Sequence, residues 1–150
     1  MSQLFLQLGL GAALIVLATA AQAFGVVVSM RYRVHVVRKI GQVNTGAMII
    51  LMSLGALWML AWQSVGVWIW AMALVSLNAF DGLEPALYYA LSAYTTLGFG
   101  DVLTPDKWRI LGSLIGANGM LAFGLATAAL VALVQAIRED LTDLPTDDFS

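Results

Sequence analysis

The sequence predicts an all-α integral membrane protein with three transmembrane helices and a shorter helix between the second and the third. Hydrophobic residues make up 61% of the 150 residues and charged residues only 11%, against roughly 45–50% and about 25% in soluble domains. Charges are also absent from three long runs, residues 1–30, 40–80 and 110–137. Each run exceeds the roughly 20 apolar residues that cross a hydrocarbon core.

The same composition excludes several classes of protein. With so few charges a soluble domain could not cover its surface, so soluble, disordered and nucleic-acid-binding proteins are excluded. The chain has no cysteine and one histidine, which removes disulfides, thiolate chemistry and multi-histidine metal sites. No acid–base pair or nucleophile constellation is apparent, so an enzyme is not expected.

The first helix is predicted near residues 3–30 and is followed by a basic loop. Residues 31–39 contain four Lys or Arg side chains, and a short loop this basic is expected on the cytoplasmic side. The N-terminus and residues 78–107 would then lie outside, and the acidic tail of residues 138–150 inside. We treat residues 1–44 as an N-terminal unit. A signal-peptidase site at Ala21-Gln22-Ala23 is the competing interpretation, but no Lys or Arg precedes its apolar stretch.

The second helix is predicted over residues 45–78. At about 34 residues it is longer than a bilayer requires, so it tilts, projects or ends earlier. Trp68 and Trp70 on this helix, and Trp108 at the start of the third, fall near the predicted outer boundary of the membrane, where amphipathic rings anchor well. Trp58 and Trp62 lie deeper and four residues apart, which favours helix packing.

A half-length helix is predicted over residues 82–95. Asp81 and Glu84 have capping-box spacing, and Pro85 falls in the first turn. Only about ten residues separate this start from Thr95 and Thr96, which is some 15 Å of helix or half a membrane. A helix of that length between two full spans indicates a re-entrant segment, which is tolerated where protein or water surrounds it.

The residues that follow, Thr95 to Asp101, have a distinctive backbone pattern. Gly98 and Gly100 stand at alternate positions, and each can adopt a positive φ without a Cβ penalty. Alternating handedness in an extended strand can turn successive carbonyls to one side. Four such strands around an axis would form rings of oxygen that replace the hydration shell of a cation, with Asp101 at the outer mouth.

These residues resemble the selectivity filter of the potassium channel family. The family pattern is Thr-Val/Ile-Gly-Tyr/Phe-Gly-Asp, and this chain has Thr96-Leu-Gly-Phe-Gly-Asp101. Tyr88 and Tyr89 stand at the aromatic pair of the family's pore helix. The resemblance covers residues 80–135. Leu97 departs from the usual Val or Ile, and Ser92 stands where some members have a carboxylate that bonds the final Asp of the filter.

The resemblance implies a homotetramer with a pore module over residues 45–137. Its outer helix would be 45–78, its pore helix 82–95, its filter 96–101 and its inner helix 107–137. The carbonyls of Thr96, Leu97, Gly98 and Phe99 would coordinate K⁺, and Thr95 and Asp101 would flank them. K⁺ is the permeant ion and no cofactor is expected. The implied partners are membrane lipid and identical subunits, in the bacterial inner membrane.

The resemblance also assigns a cavity and gate to the third helix, with Gly119 at the hinge of the family. With Thr127 taken as pore-facing, a stripe of residues falls within about 40° of the same line at 100° per residue. Its members are Gly116, Met120, Phe123, Val131 and Val134. Asn118 falls on the opposite face and should pack against a neighbouring helix. Close packing by small residues is the preferred explanation for Gly112 and Gly116, and it competes evenly with a hinge for Gly119.

Three alternatives remain open from the sequence. The first is a weakly selective cation channel of the same fold, against which the intact Gly98-Phe99-Gly100 argues. The second is a subunit of a potassium transporter, although those carry four pore-loop repeats per chain and this chain has one. The third is a non-conducting scaffold. No segment has a basic residue at every third position, so no voltage sensor is recognisable.

Overall fold

The computed structural model describes residues 2–40 and 45–142, and in these ranges every regular element is helical. Helix α1 spans Ser2–Ile40, α2 spans Thr45–Ser76, α3 spans Leu83–Tyr94 and α4 spans Arg109–Thr142. A single 3₁₀ turn, Asp106–Trp108, precedes α4. The chain therefore has three long helices and one short helix.

The prediction of three membrane-spanning helices is confirmed by length and hydropathy. The segments Ser2–Arg31, Met48–Ser76 and Asp106–Gln135 are each long and apolar enough to cross a membrane. They follow the three uncharged runs of the sequence. Helix α3, with 12 residues, is about 18 Å long at 1.5 Å per residue and is too short to span.

Two helices run further than predicted. Helix α1 continues to Ile40, so residues 31–39 are helical and the predicted basic loop is wrong. Arg and Lys are good helix formers, and the stretch contains neither Gly nor Pro to end a helix. Helix α4 continues to Thr142, five residues into the predicted tail, and residues 143–150 of that tail lie outside the described residues.

Helix α2 ends at Ser76, two residues before the predicted end. Asn78 adopts a positive φ of 49°, and the amides of Asn78 and Ala79 donate to the carbonyls of Val75 and Leu74 at 2.9 Å each. This is a Schellman motif, in which a left-handed residue satisfies the last carbonyls of a helix. Asparagine tolerates the left-handed region better than most residues, which is why the helix can stop here.

The predicted capping box at the start of α3 is wrong. The helix begins at Leu83 with Gly82 as its N-cap, and no side chain caps it. Asp81 therefore does not close the helix, and Glu84 lies in the first turn of α3 instead. A negative side chain at this end still interacts favourably with the helix dipole.

The core lies between α2, α3 and α4. Its fully buried side chains include Trp70, Leu74, Tyr94 and Ile115. Trp70 was predicted at the outer boundary, but it is 0% exposed, and its Nε1 donates to Asn118 Oδ1 at 2.7 Å. A buried indole N–H is stabilised by an acceptor, and Asn118 on α4 supplies one for Trp70. Asn118 thus packs inward against a neighbouring helix, as its position on the helix predicts.

The other tryptophans divide between the core and the surface. Trp108 is buried in the same cluster, so it is not the exposed anchor that its position suggested. Trp68 remains exposed on α2. Trp58 and Trp62 pack against α1 as predicted: the Trp58 Nε1 donates to the Gly25 carbonyl at 3.1 Å, and the Trp62 ring meets Phe24 edge-on at 5.7 Å.

Candidate functional site

The C-terminus of α3 turns directly into the segment predicted to be the filter. The Thr96 amide donates to the Ala93 carbonyl at 3.0 Å, and the Leu97 amide donates to the Ser92 carbonyl at 3.0 Å. Thr96 has a positive φ of 59°. These features form a second Schellman motif, with a threonine where glycine is usual. The Gly98 amide also donates to Ser92, at 3.2 Å.

Positive φ recurs at alternate residues of this segment. Thr96 is followed by Gly98 at 56° and Gly100 at 78°. A Cβ added to either glycine would meet nothing within 4 Å. Glycine is therefore required at these positions by the backbone angle and not by a lack of space. The β-branched Thr96 adopts the same region at a steric cost. The segment is therefore irregular, strained at Thr96, and anchored on the last turn of α3.

Every residue from Thr95 to Asp101 is exposed in the single chain. Leu97 is 59% exposed and Phe99 65% exposed, although both are large and apolar. The Thr95 hydroxyl donates to the Leu91 carbonyl at 2.9 Å, which ties it to α3. In the part of the chain that the structure describes, most of the surface of these two apolar side chains is uncovered.

Asp101 at the end of the segment is held by Tyr88. The Tyr88 hydroxyl donates to Asp101 Oδ2 at 2.7 Å, and the Val102 amide donates to Asp101 Oδ1 at 3.0 Å. The hydrogen bond to Asp101, with smaller effects of burial and of the Asp101 charge, raises the pKa of Tyr88 above its usual 10.0. The bond is therefore fully present below pH 10 and is lost as pH rises through the higher pKa of the folded state. In this chain the hydrogen-bond partner of the Asp101 carboxylate is therefore Tyr88, and not the side chain at position 92 as in some members of the family.

Removal of the Tyr88 hydroxyl is expected to loosen the outer end of the segment. In Tyr88→Phe, Asp101 keeps only its bond to the Val102 amide. If the segment is the filter that the resemblance implies, ionic current is expected to decay several-fold faster during sustained recording. Tyr89→Phe is the matched control, because the Tyr89 ring packs on Phe80 at 5.3 Å, and among the described residues the hydrogen bonds to the Asp101 carboxylate come from Tyr88 and Val102. Equal decay rates in wild type and Tyr88→Phe would contradict this role.

The two tyrosines therefore have different surroundings. Tyr89 faces α4, where a Cβ on Gly112 would overlap its hydroxyl and lie 3.3 Å from Thr104 Oγ1. A Cβ on Gly116 would lie 3.3 Å from the Ala93 carbonyl. These contacts give both glycines a packing function between α4 and α3.

Gly119 is packed most closely of all. A Cβ there would overlap the backbone carbonyl of Tyr94, the last residue of α3. Helix α4 is continuous from Arg109 to Thr142 through this position. The geometry gives Gly119 a packing function, because only a residue without a side chain lets α4 approach the end of α3.

Four of the six residues predicted to face the pore are exposed in the chain, whereas Gly116 and Val134 are half-buried. Met120 is 68% exposed, Phe123 42% and Val131 50%, and Thr127 is exposed with its hydroxyl donating to the Phe123 carbonyl at 2.8 Å. The stripe lies on the face of α4 opposite the buried Asn118. In a single chain these four side chains are not covered, and neither is the segment of residues 95–101 that follows α3.

Sequence reasoning missed Tyr94 and its partner Gln22. Tyr94 is 1% exposed and accepts a hydrogen bond from Gln22 Nε2 on α1. The available signal was a row of polar and small residues in an otherwise apolar helix, at spacings of three, four or seven. Its members are Gln7, Gly11, Ala18, Gln22 and Gly25, and all five are buried.

Comparison with known proteins gives one match. A family model described as an ion channel matches residues 57–136, just over half of the chain. The matched range contains most of α2 and all of α3, the segment after it and the apolar part of α4, whereas α1 lies outside it. No curated protein and no solved structure matches the chain significantly.

Proposed function

Because the chain belongs to the pore-loop ion channel family whose two-helix pore model covers residues 57–136, we propose that it is a subunit of a potassium-selective channel. The observation that carries the proposal is the alternating positive φ at Thr96, Gly98 and Gly100. K⁺ would pass passively down its electrochemical gradient. The carbonyl oxygens of Thr96, Leu97, Gly98 and Phe99 would replace its hydration shell.

The channel would be a homotetramer, since one chain supplies one filter strand and a ring of carbonyls needs four. Support comes from the large exposed fractions of Leu97 and Phe99, which are apolar side chains without cover in a single chain. A second copy related by fourfold symmetry would bury them. Helix α3 would then be a re-entrant pore helix, with the negative end of its dipole toward the ion path.

The exposed stripe on α4 would line the inner vestibule. Met120, Phe123, Thr127 and Val131 would face the ion path, and such an apolar wall can gate by dewetting. Gly119 would lie behind this wall, against α3. The channel would reside in the bacterial inner membrane with the basic end of α1 in the cytoplasm and the N-terminus outside.

The decisive experiment is the reversal potential of the purified protein in a planar bilayer with K⁺ on one side and Na⁺ on the other. A K⁺-selective pore is expected to reverse at a large potential, negative on the K⁺ side, whose size is set by the ratio of K⁺ to Na⁺ permeability. A reversal potential near zero would indicate a weakly selective cation channel. The absence of conductance from a folded tetramer would reject the channel function and favour a scaffold.

A further inference from the structure

Helix α1 is not part of the two-helix pore module, yet it is joined to that module by buried polar bonds. Gln7 Oε1 accepts from the Leu111 amide at 3.1 Å, and Asn118 Nδ2 donates to Thr19 Oγ1 at 3.3 Å. Both of these bonds tie α1 to α4. In a helix that crosses a membrane each polar side chain is costly unless it is paired, so such bonds fix how α1 packs.

The bond between Gln22 and Tyr94 differs from the others because it reaches α3. Gln22 is 4% exposed and Tyr94 is 1% exposed, and the Gln22 Nε2 donates to the Tyr94 hydroxyl. Tyr94 is the last residue of α3, directly before Thr95 and Thr96. No other side-chain hydrogen bond in the described residues links α1 to this end of α3.

Tyr94 is also the point at which the other helices meet α3. A Cβ on Gly66 of α2 would lie 2.6 Å from the Tyr94 hydroxyl and 3.0 Å from Gln22 Nε2. The Tyr94 carbonyl lies against Gly119 of α4, and its ring is 6.3 Å from the ring of Phe123. A shift of the Tyr94 side chain therefore cannot be absorbed locally in so closely packed a site.

We propose that Gln22 is a positioning residue for the ion filter, and that α1 acts on the filter through the hydrogen bond from Gln22 to Tyr94. The bond fixes the final residue of the pore helix, and the Schellman motif that starts the filter is built on that final turn. The proposal rests on the proposed channel function. It assigns to the N-terminal helix a contribution to conduction beyond holding the subunit in the membrane.

The test compares Gln22→Leu with Gln7→Leu, recording the current-decay rate and the K⁺/Na⁺ permeability ratio in planar bilayers. The two glutamines are matched, since both are on α1, both are about 95% buried and both lose one hydrogen bond. In Gln22→Leu the current-decay rate or the K⁺/Na⁺ permeability ratio is expected to change by about threefold or more. A factor of this size corresponds to the free energy of one hydrogen bond between membrane helices. Gln7→Leu is expected to lower the melting temperature of the tetramer with both readouts unchanged.

Tyr94→Phe keeps the proposal testable if Gln22→Leu does not fold, since it removes only the hydroxyl. It should reproduce the effect of Gln22→Leu, and the double variant should show no larger effect than either single variant, because both lose the same bond. The proposal would be overturned if Gln22→Leu or Tyr94→Phe kept the wild-type decay rate and permeability ratio. It would also be overturned if Gln7→Leu changed these two quantities as much as Gln22→Leu does. Either result would leave the channel function intact. Wild-type protein that does not conduct would overturn both.

Discussion

Replacing Gly98 with alanine is expected to abolish potassium current. Gly98 has a φ of 56°, and an L-residue in this region costs about 1–2 kcal/mol per chain. A side chain at this position would meet nothing within 4 Å in the chain, so the cost comes from the backbone alone. In a tetramer the cost applies four times, and the strand is expected to relieve it by turning to negative φ, which moves a carbonyl out of the ring.

Single-channel recording of Gly98→Ala in symmetrical K⁺ measures this effect, with tetramer assembly checked by size-exclusion chromatography. Gly82→Ala is the matched control, because Gly82 precedes the same short helix with an extended φ of 161° that any residue adopts. It should conduct as wild type does. Normal K⁺ conductance and selectivity in Gly98→Ala would contradict the carbonyl mechanism.

Replacing Gly119 with alanine is expected to cause the second large effect, a loss of both tetramer stability and ion selectivity. The new Cβ would overlap the Tyr94 carbonyl and lie 2.7 Å from its carbon. These are backbone atoms that cannot rotate away, so α3 or α4 must move. Overpacking of this kind costs about 1–3 kcal/mol per site, and α3 carries the proposed filter at its C-terminal end.

Gly124→Ala provides the control on the same helix, since a Cβ at Gly124 would meet nothing within 4 Å. Thermal unfolding of the detergent-solubilised tetramer and the K⁺/Na⁺ permeability ratio should change in Gly119→Ala and remain unchanged in Gly124→Ala. This experiment also separates packing from a hinge. If Gly119 acts only as a hinge, Gly119→Ala should keep wild-type stability and selectivity and alter only the open probability.

Much of the architecture could be predicted because it depends on local composition. The three spans follow from the positions of charges, since a charged side chain in the hydrocarbon core is costly. The family could be identified because residues 96–101 resemble the filter motif of the potassium channel family, and two of the three positions with a positive φ in that motif are glycine. The position of Asn118 could be predicted from helical periodicity.

Other features depend on contacts that sequence spacing does not reveal. The left-handed residue that ends α3 is Thr96, and no glycine marks it. Trp70 was assigned to the membrane surface because its position along α2 suggested an interface, whereas the structure buries it against Asn118. The predicted end of α1 near residue 30 is wrong because the basic segment continues the helix to Ile40, and Arg and Lys are compatible with helix.

The sequence by itself determined the membrane environment, the three spans and the family of the pore segment, because hydropathy and backbone handedness are properties of short stretches of chain. Only the tertiary structure decided which residues support that segment. Tyr94, Gln22, Gly66 and Gly119 come from four different helices, and only Gly119 is singled out by the sequence. They are brought together because a short helix can end inside a membrane protein only where neighbouring helices pack closely around its last turn.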